Sequence, residues 1–199
     1  MGRKYRQKLL SVVTTTRLVL FGLALTRLTR PRWAAGAPAG PGAKFAAMPV
    51  RRGDPARLLA AVNAQLAALG RAGWSGPVTV EALAAACVSA VLAAMDLNQE
   101  PERDATRWAV VDLLGLLERQ VPGRAVEVRI PPYAAIQCVA GPRHTRGTPP
   151  NVVETDAITW IMLAAGRIAW AAAVADGRVR ASGPRSDISE YLPLVAAAR

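Results

Sequence analysis

Histidine and cysteine are scarce in this sequence, which contains one histidine and two cysteines among 199 residues. The cysteines, Cys87 and Cys138, lie far apart in the chain, a spacing that fits neither a zinc site nor a disulfide framework. The single histidine, His144, leaves the chain without the ligand clusters of metalloenzymes. We therefore expect no metal and no other cofactor, and we expect both cysteines to be buried thiols in a protein of the reducing cytoplasm.

Phosphate-binding and hydrolase motifs are also absent. The sequence has no glycine-rich phosphate loop and no Gly-x-Ser-x-Gly motif. Its five tryptophans do not lie in a basic, aromatic-rich stretch of the kind that binds single-stranded nucleic acid. We predict no specific nucleic-acid partner. The sequence also disfavours an enzymatic function, because no catalytic residue can be assigned.

Lysine is missing from the whole of the chain beyond Lys44. Residues 1–47 hold nine basic residues and no acidic one, whereas residues 48–199 hold 16 arginines and 14 acidic residues. The net charge of +11 therefore belongs mostly to the first 47 residues.

Residues 1–47 leave several explanations open. They imitate a secretory signal, but Arg17 splits the apolar middle. A transmembrane span needs about 20 apolar residues, and Arg27 interrupts this stretch much sooner. We expect a dispensable or disordered leader, or a mis-assigned start with the true product beginning at Met48. A targeting or surface-binding segment and a true basic arm are the alternatives. Residues 48–199 are then one domain.

Three segments after Met48 carry apolar residues at helical spacing. The first begins at Asp54, a predicted N-cap, and ends at Gly70. The second begins at Thr79, also a predicted N-cap, and extends to Met95; it is apolar on nearly all sides, which predicts a buried helix. The third covers residues 105–119.

After these three segments the apolar residues recur at every second position, which predicts strands. In AVEVRI, Val126, Val128 and Ile130 point one way, while Glu127 and Arg129 point to a solvent-exposed face. YAAIQCVA is predicted to be a second strand, antiparallel to the first, and NVVET is a candidate third strand.

The last part of the chain combines helix and strand. Asp156 is a predicted N-cap of the apolar helix AITWIMLAA, and RVRAS predicts a strand with Val179 and Ala181 directed inward. Helices followed by strands and further buried helices predict an α+β domain. Its single antiparallel sheet is expected to be covered on one face.

The segment DAITWIMLAAGRIAWAAAVADGRVRASG resembles the C-terminal part of sterol carrier protein-like domains. The resemblance is carried by the acid-capped helix at Asp156, the stop at Gly166, a short Ala-rich helix, and a strand between Gly177 and Gly183. PGRAVEVRIPPYAAIQCVAGPRHTRGTPPNVVETD is similar to the bacterial, actinobacterial-type branch of that superfamily. The similarity covers about residues 54–194.

The resemblance implies a sheet of about five mainly antiparallel strands, covered by helices that enclose an apolar cavity. Such a cavity suits lipids, acyl chains or sterol-like molecules. The resemblance does not imply one activity, because this fold occurs both as a carrier and as an accessory domain of larger enzymes. We expect a non-catalytic binding or carrier protein for an apolar or acyl ligand. The alternative is a protein-interaction or accessory module with a filled core and no small-molecule ligand.

The stretch GPRHTRGTPPNVVETD places Arg143, His144 and Arg146 on a loop rich in glycine and proline. These side chains are candidates to bind an anionic group, because guanidinium groups pair well with carboxylates and phosphates. Alternatively, the arginines pair with Glu127, Glu154 or Asp156 and fix the loop.

Large apolar side chains are candidate walls of the expected cavity. They are Ile136, Trp160, Met162, Leu163 and Trp170. The alternative is that these residues are plain core.

Overall fold

In the computed structural model, residues 53–141 and 151–195 are described. Three helices come first, and the sheet and two further helices follow. In chain order the elements are α1 (Pro55–Ala68), α2 (Val80–Asp96), α3 (Arg103–Gln120), β1 (Val126–Ile130), β2 (Ala134–Cys138), β3 (Val152–Thr155), α4 (Ala157–Ala164), α5 (Trp170–Ala175) and β4 (Val179–Ser182), and a short 3₁₀ turn at Ser189–Tyr191 ends the series.

Three helices begin with the side-chain caps that the sequence predicts. Asp54 accepts a hydrogen bond from the backbone N–H two residues further on, at 3.1 Å. Thr79 and Asp156 each accept one from the N–H three residues further on, at 3.2 Å and 2.9 Å. Each cap satisfies a backbone donor that has no partner within its helix, so these helix starts are set by local chemistry.

The start of α3 is fixed by a contact from another helix. Gln65 of α1 is buried, and its side-chain oxygen accepts a hydrogen bond from the backbone N–H of Glu102 at 2.7 Å. Glu102 itself makes no side-chain cap. Long-range packing of α1 therefore supplies the partner that a local cap supplies elsewhere.

The four strands within the described ranges form one mixed sheet in the order β2-β1-β3-β4. β1 and β2 are antiparallel, as predicted, and so are β3 and β4. β1 and β3 are parallel, with Val128 opposite Val153. The sheet expected to be antiparallel is therefore mixed: two of its three pairings are antiparallel and one is parallel, and the described residues contain four strands where about five were expected. β3 starts at the end of the sheet where β2 finishes, and it lies on the other side of β1 from β2. Because β1 also starts at that end, β3 runs in the same direction as β1.

Two predictions about the faces of the sheet are also wrong. Glu127 is only 4% exposed, and its carboxylate pairs with Arg129 at 2.5 Å. β1 is an inner strand, so Gln137 and Val152 flank Glu127 on both sides. Ala181, predicted to point inward, is exposed because it lies on the edge strand β4, where only Val179 is buried.

Helices cover the apolar face of the sheet. α3 packs against β2 and also against α1, α2 and α4, so it lies between the sheet and the first two helices. The C-terminal segment returns to α4, where the N–H of Leu194 donates to the carbonyl of Ala164 at 2.8 Å. One apolar core therefore joins the helices to the sheet.

Candidate functional site

A cavity of about 170 Å³ lies where α1, the first turns of α2, and α3 meet. Its walls are mainly apolar, with Leu58 from α1, Val80 and Ala84 from α2, and Trp108 and Val111 from α3. Apolar walls with a few polar groups are typical of sites for small molecules.

Small side chains leave this space open. Ala84 is a wall residue that is buried yet short, and Gly115 of α3 adds no side chain. On α3, Trp108, Asp112 and Gly115 are separated by four and then three residues, which places them along one side of the helix. The cavity is therefore a gap along that side of α3.

Polar side chains also contribute to the cavity lining, namely Glu81, Asp112 and Arg119. Burial raises the pKa of the Asp112 carboxyl above its usual range, and the negative charge of Glu81 raises it further. The positive charge of Arg119 acts in the opposite direction. The Asp112 carboxylate is thus less stable in this apolar surrounding than it is in water.

A second, wider pocket of about 720 Å³ lies between α1 and the start of α3. Its lining is largely charged, with Arg57, Arg103 and Arg107 together with two acidic residues. Trp108 borders both pockets, and the guanidinium of Arg107 lies 5.3 Å from the centre of its ring. The indole of Trp108 therefore lies between an apolar space and a charged one.

The three predicted anion-binding residues, Arg143, His144 and Arg146, lie outside the described residues. Nothing in the structure tests their role. Two of the acids proposed as their structural partners are already engaged, since Glu127 pairs with Arg129 and Asp156 caps α4.

The predicted cavity-lining residues differ in burial, and four of them, Ile136, Trp160, Leu163 and Trp170, belong to the apolar core or pack against it. Ile136 of β2 and Trp160 and Leu163 of α4 are buried in the core. Met162 and Trp170 are only partly buried, and the sulfur of Met162 lies 3.7 Å from a guanidinium nitrogen of Arg178. None of the five borders either pocket given above. Their role as cavity walls remains a prediction.

Trp160 nevertheless has an unusual feature for a core residue. Its indole is 0% exposed, and its Nε1–H has no hydrogen-bond partner within the ranges that the structure describes. A buried donor without a partner costs free energy, of the order of 1–3 kcal/mol. Trp160 therefore offers a free donor to any polar atom that reaches it.

Comparison with known protein families gives a match for part of the chain. Residues 102–194 match the sequence model of a family described as "Bacterial SCP ortholog". These residues belong to the bacterial sterol carrier protein-like family. A search of curated proteins finds no match.

The sterol carrier protein-like match begins just before α3 and extends beyond β4. It includes the α3 wall of the apolar cavity, but not the walls that α1 and α2 provide. Family membership therefore does not by itself assign a ligand to this cavity.

Sequence reasoning named none of the residues that line the apolar cavity as wall residues, although two of them carried a signal in the sequence. The apolar stretch WAVVDLLGLL contains one acid, Asp112, and one glycine, Gly115. A charged residue and a glycine are both unfavourable inside a buried helix, so each could have marked this side of α3 as special. Asp112 and Gly115 were visible in the sequence, but the helical spacing of the apolar residues around them indicated only a core helix.

The two thiols are buried and unpaired, as predicted. Burial raises the pKa of Cys87 to about 12, with a further contribution from the charge of Asp112. Burial also raises the pKa of Cys138 to about 12, with a smaller effect from Glu118. Neither thiol is therefore a nucleophile at neutral pH.

Metal binding and membrane insertion find no support in the described part of the domain. Within residues 53–141 and 151–195, no three acidic, histidine or cysteine side chains form a group able to hold a metal ion. In the same ranges, each helix is either too short or too polar to span a bilayer.

Proposed function

We propose that this protein is a non-catalytic binding or carrier protein of the cytoplasm for an apolar or acyl ligand. The observation that carries the proposal is the apolar cavity between α1, α2 and α3. The match to bacterial sterol carrier proteins supports the same class of function. Two buried thiols without a disulfide support the cytoplasmic location.

The size of the cavity limits what it accepts. An engineered protein cavity of about 150 Å³ binds benzene, and this cavity is about 170 Å³. Sites for drug-sized molecules are larger, about 300–1,000 Å³. The cavity therefore suits an aromatic ring or a short acyl segment, and a whole sterol needs the helices to separate.

Filling the cavity tests the proposal. Ala84 lies in the wall and is buried, so the Ala84→Leu side chain is expected to occupy part of the space. Toluene, which is close to benzene in size, is the test ligand. We expect it to bind the native protein and to bind Ala84→Leu at least tenfold more weakly, since about 1.4 kcal/mol of lost contact is a tenfold change. Calorimetric titration measures both affinities.

The neighbouring residue provides the control. Ala85 lies on the same helix but is exposed, so Ala85→Leu adds the same side chain outside the cavity. Its toluene affinity should equal that of the native protein. If all three proteins bind toluene equally, or none binds it, the cavity is not a ligand site. Native mass spectrometry that finds no bound lipid would then favour the interaction-module alternative.

A further inference from the structure

Asp112 places a carboxyl group in the wall of the apolar cavity. It lies on α3 between Trp108 and Gly115, on the side of the helix that faces the empty space. Its side chain is partly buried. A carboxylate among apolar groups is costly unless a hydrogen-bond donor faces it.

The fold supplies no such donor among residues 53–141 and 151–195. The Asp112 carboxyl takes part in no hydrogen bond and no ion pair there. The charged groups that act on it are Glu81, across the cavity on α2, and Arg119, two turns further along α3. The thiol of Cys87, also on α2, is near enough for Asp112 to raise its pKa.

We propose that Asp112 accepts a hydrogen bond from the ligand, which is therefore an apolar molecule with a hydroxyl or amine group. This inference rests on the proposed function, because it requires the same cavity to be occupied. A fatty acid is disfavoured there, since its carboxylate would come close to the carboxyl of Asp112. An alcohol or amine instead supplies the missing donor.

The test compares two ligands that differ by one hydroxyl group. Toluene and benzyl alcohol are titrated into the native protein and into Asp112→Leu, which removes the acceptor but keeps an apolar wall. For each protein we take the ratio of the two dissociation constants and compare that ratio between the native protein and Asp112→Leu. Water solvates the two ligands differently, but this difference is the same for both proteins and cancels in the comparison. We expect Asp112→Leu to shift the ratio about tenfold in favour of toluene, the effect of one hydrogen bond to a charged acceptor.

Glu118→Leu is the matched control, since Glu118 is an exposed acid on the same helix and outside the cavity. Its ratio should equal that of the native protein. If Asp112→Leu does not fold, Asp112→Asn replaces it. That variant keeps an acceptor oxygen without the charge, so a shift of smaller size is expected. Circular dichroism and thermal melting establish that each variant is folded.

Charged ligands extend the test. We expect benzylamine to bind the native protein more tightly than benzoate, and Asp112→Leu to reduce or reverse this order. A native protein that prefers benzoate would overturn the proposal and would favour an anionic head group, as predicted for Arg143, His144 and Arg146.

The outcomes separate this inference from the proposed function. If toluene binds the native protein and the ratio is unchanged in Asp112→Leu, Asp112 is not the acceptor, but the cavity still binds apolar ligands. If toluene does not bind the native protein at all, the proposed function fails for this cavity and the role of Asp112 fails with it.

Discussion

At the scale of single residues, polar groups in apolar surroundings are the informative ones. The indole N–H of Trp160 is fully buried and has no hydrogen-bond partner in the described part of the chain, and the carboxyl of Asp112 is partly buried beside the apolar cavity without a hydrogen bond there. Most buried polar groups in proteins are hydrogen-bonded, so each exception calls for an explanation. Asp112 is only partly buried, and the adjoining cavity offers a place from which a ligand could donate to it. Trp160 lines neither of the two pockets described above.

The thiols allow a direct test at this scale. Because burial raises the pKa of Cys87 and Cys138 to about 12, both are protonated at pH 8. We expect iodoacetamide to leave both unmodified in the native protein over hours. In urea, where the pKa returns to about 8.5, both should react within minutes. Mass spectrometry of the peptides gives the extent of reaction. Rapid native labelling at either position would show that the surrounding core opens readily.

At the scale of elements, the connections between strands matter most. The chain returns from β2 to β3 at one end of the sheet, and Asn151 secures that return. Asn151 is 4% exposed. Its amide nitrogen donates to the carbonyl of Ala125 at 2.7 Å, and its oxygen accepts from the N–H of Arg185 at 3.0 Å. One side chain therefore joins the start of β3 to the segments before β1 and after β4.

Replacing that side chain should weaken the whole domain. In Asn151→Ala, the buried carbonyl of Ala125 and the partly buried N–H of Arg185 lose their partner, and the loss at a buried group costs about 1–3 kcal/mol. We expect the free energy of unfolding in urea to fall by about 2–3 kcal/mol. Ser182→Ala is the control, because Ser182 is exposed and lies on the neighbouring edge strand. Its effect should stay within about 0.5 kcal/mol. Equal effects in the two variants would mean that Asn151 does not join these segments in solution.

At the scale of the whole molecule, two candidate regions compete for the polar part of a ligand. One is the cavity with Asp112, which favours a hydrogen-bond donor. The other is the segment with Arg143, His144 and Arg146, which the sequence predicts to bind an anion and which lies outside the described residues. The described residues on either side of that segment, Gly141 and Asn151, lie after β2 and before β3, and β2 finishes beside the C-terminus of α3. Arg119 of the cavity belongs to the last turn of that helix.

Separate substitutions distinguish a structural loop from a binding loop. Arg143→Ala, His144→Ala and Arg146→Ala are each tested for melting temperature and for affinity toward a fluorescent fatty acid. If these residues bind an anionic group, affinity falls about tenfold while the melting temperature stays within a degree or two. If they fix the loop, the melting temperature falls by about 3 °C or more and the remaining affinity is unchanged.

Much of the secondary structure was predictable because its causes are local. The caps at Asp54, Thr79 and Asp156 act within three residues, so the sequence alone locates those helix starts. The alternation around Val128 likewise predicts β1 and its apolar face. The family resemblance, expected over about residues 54–194, was confirmed for residues 102–194.

Tertiary structure decided what depends on neighbours distant in sequence. The parallel pairing of β1 with β3, the burial of Glu127 and the exposure of Ala181 all follow from the strand order, which periodicity does not contain. The cavity beside Asp112 arises only where three helices meet around small side chains. A sequence states which side chains are apolar, but a void is a property of how those side chains fit together.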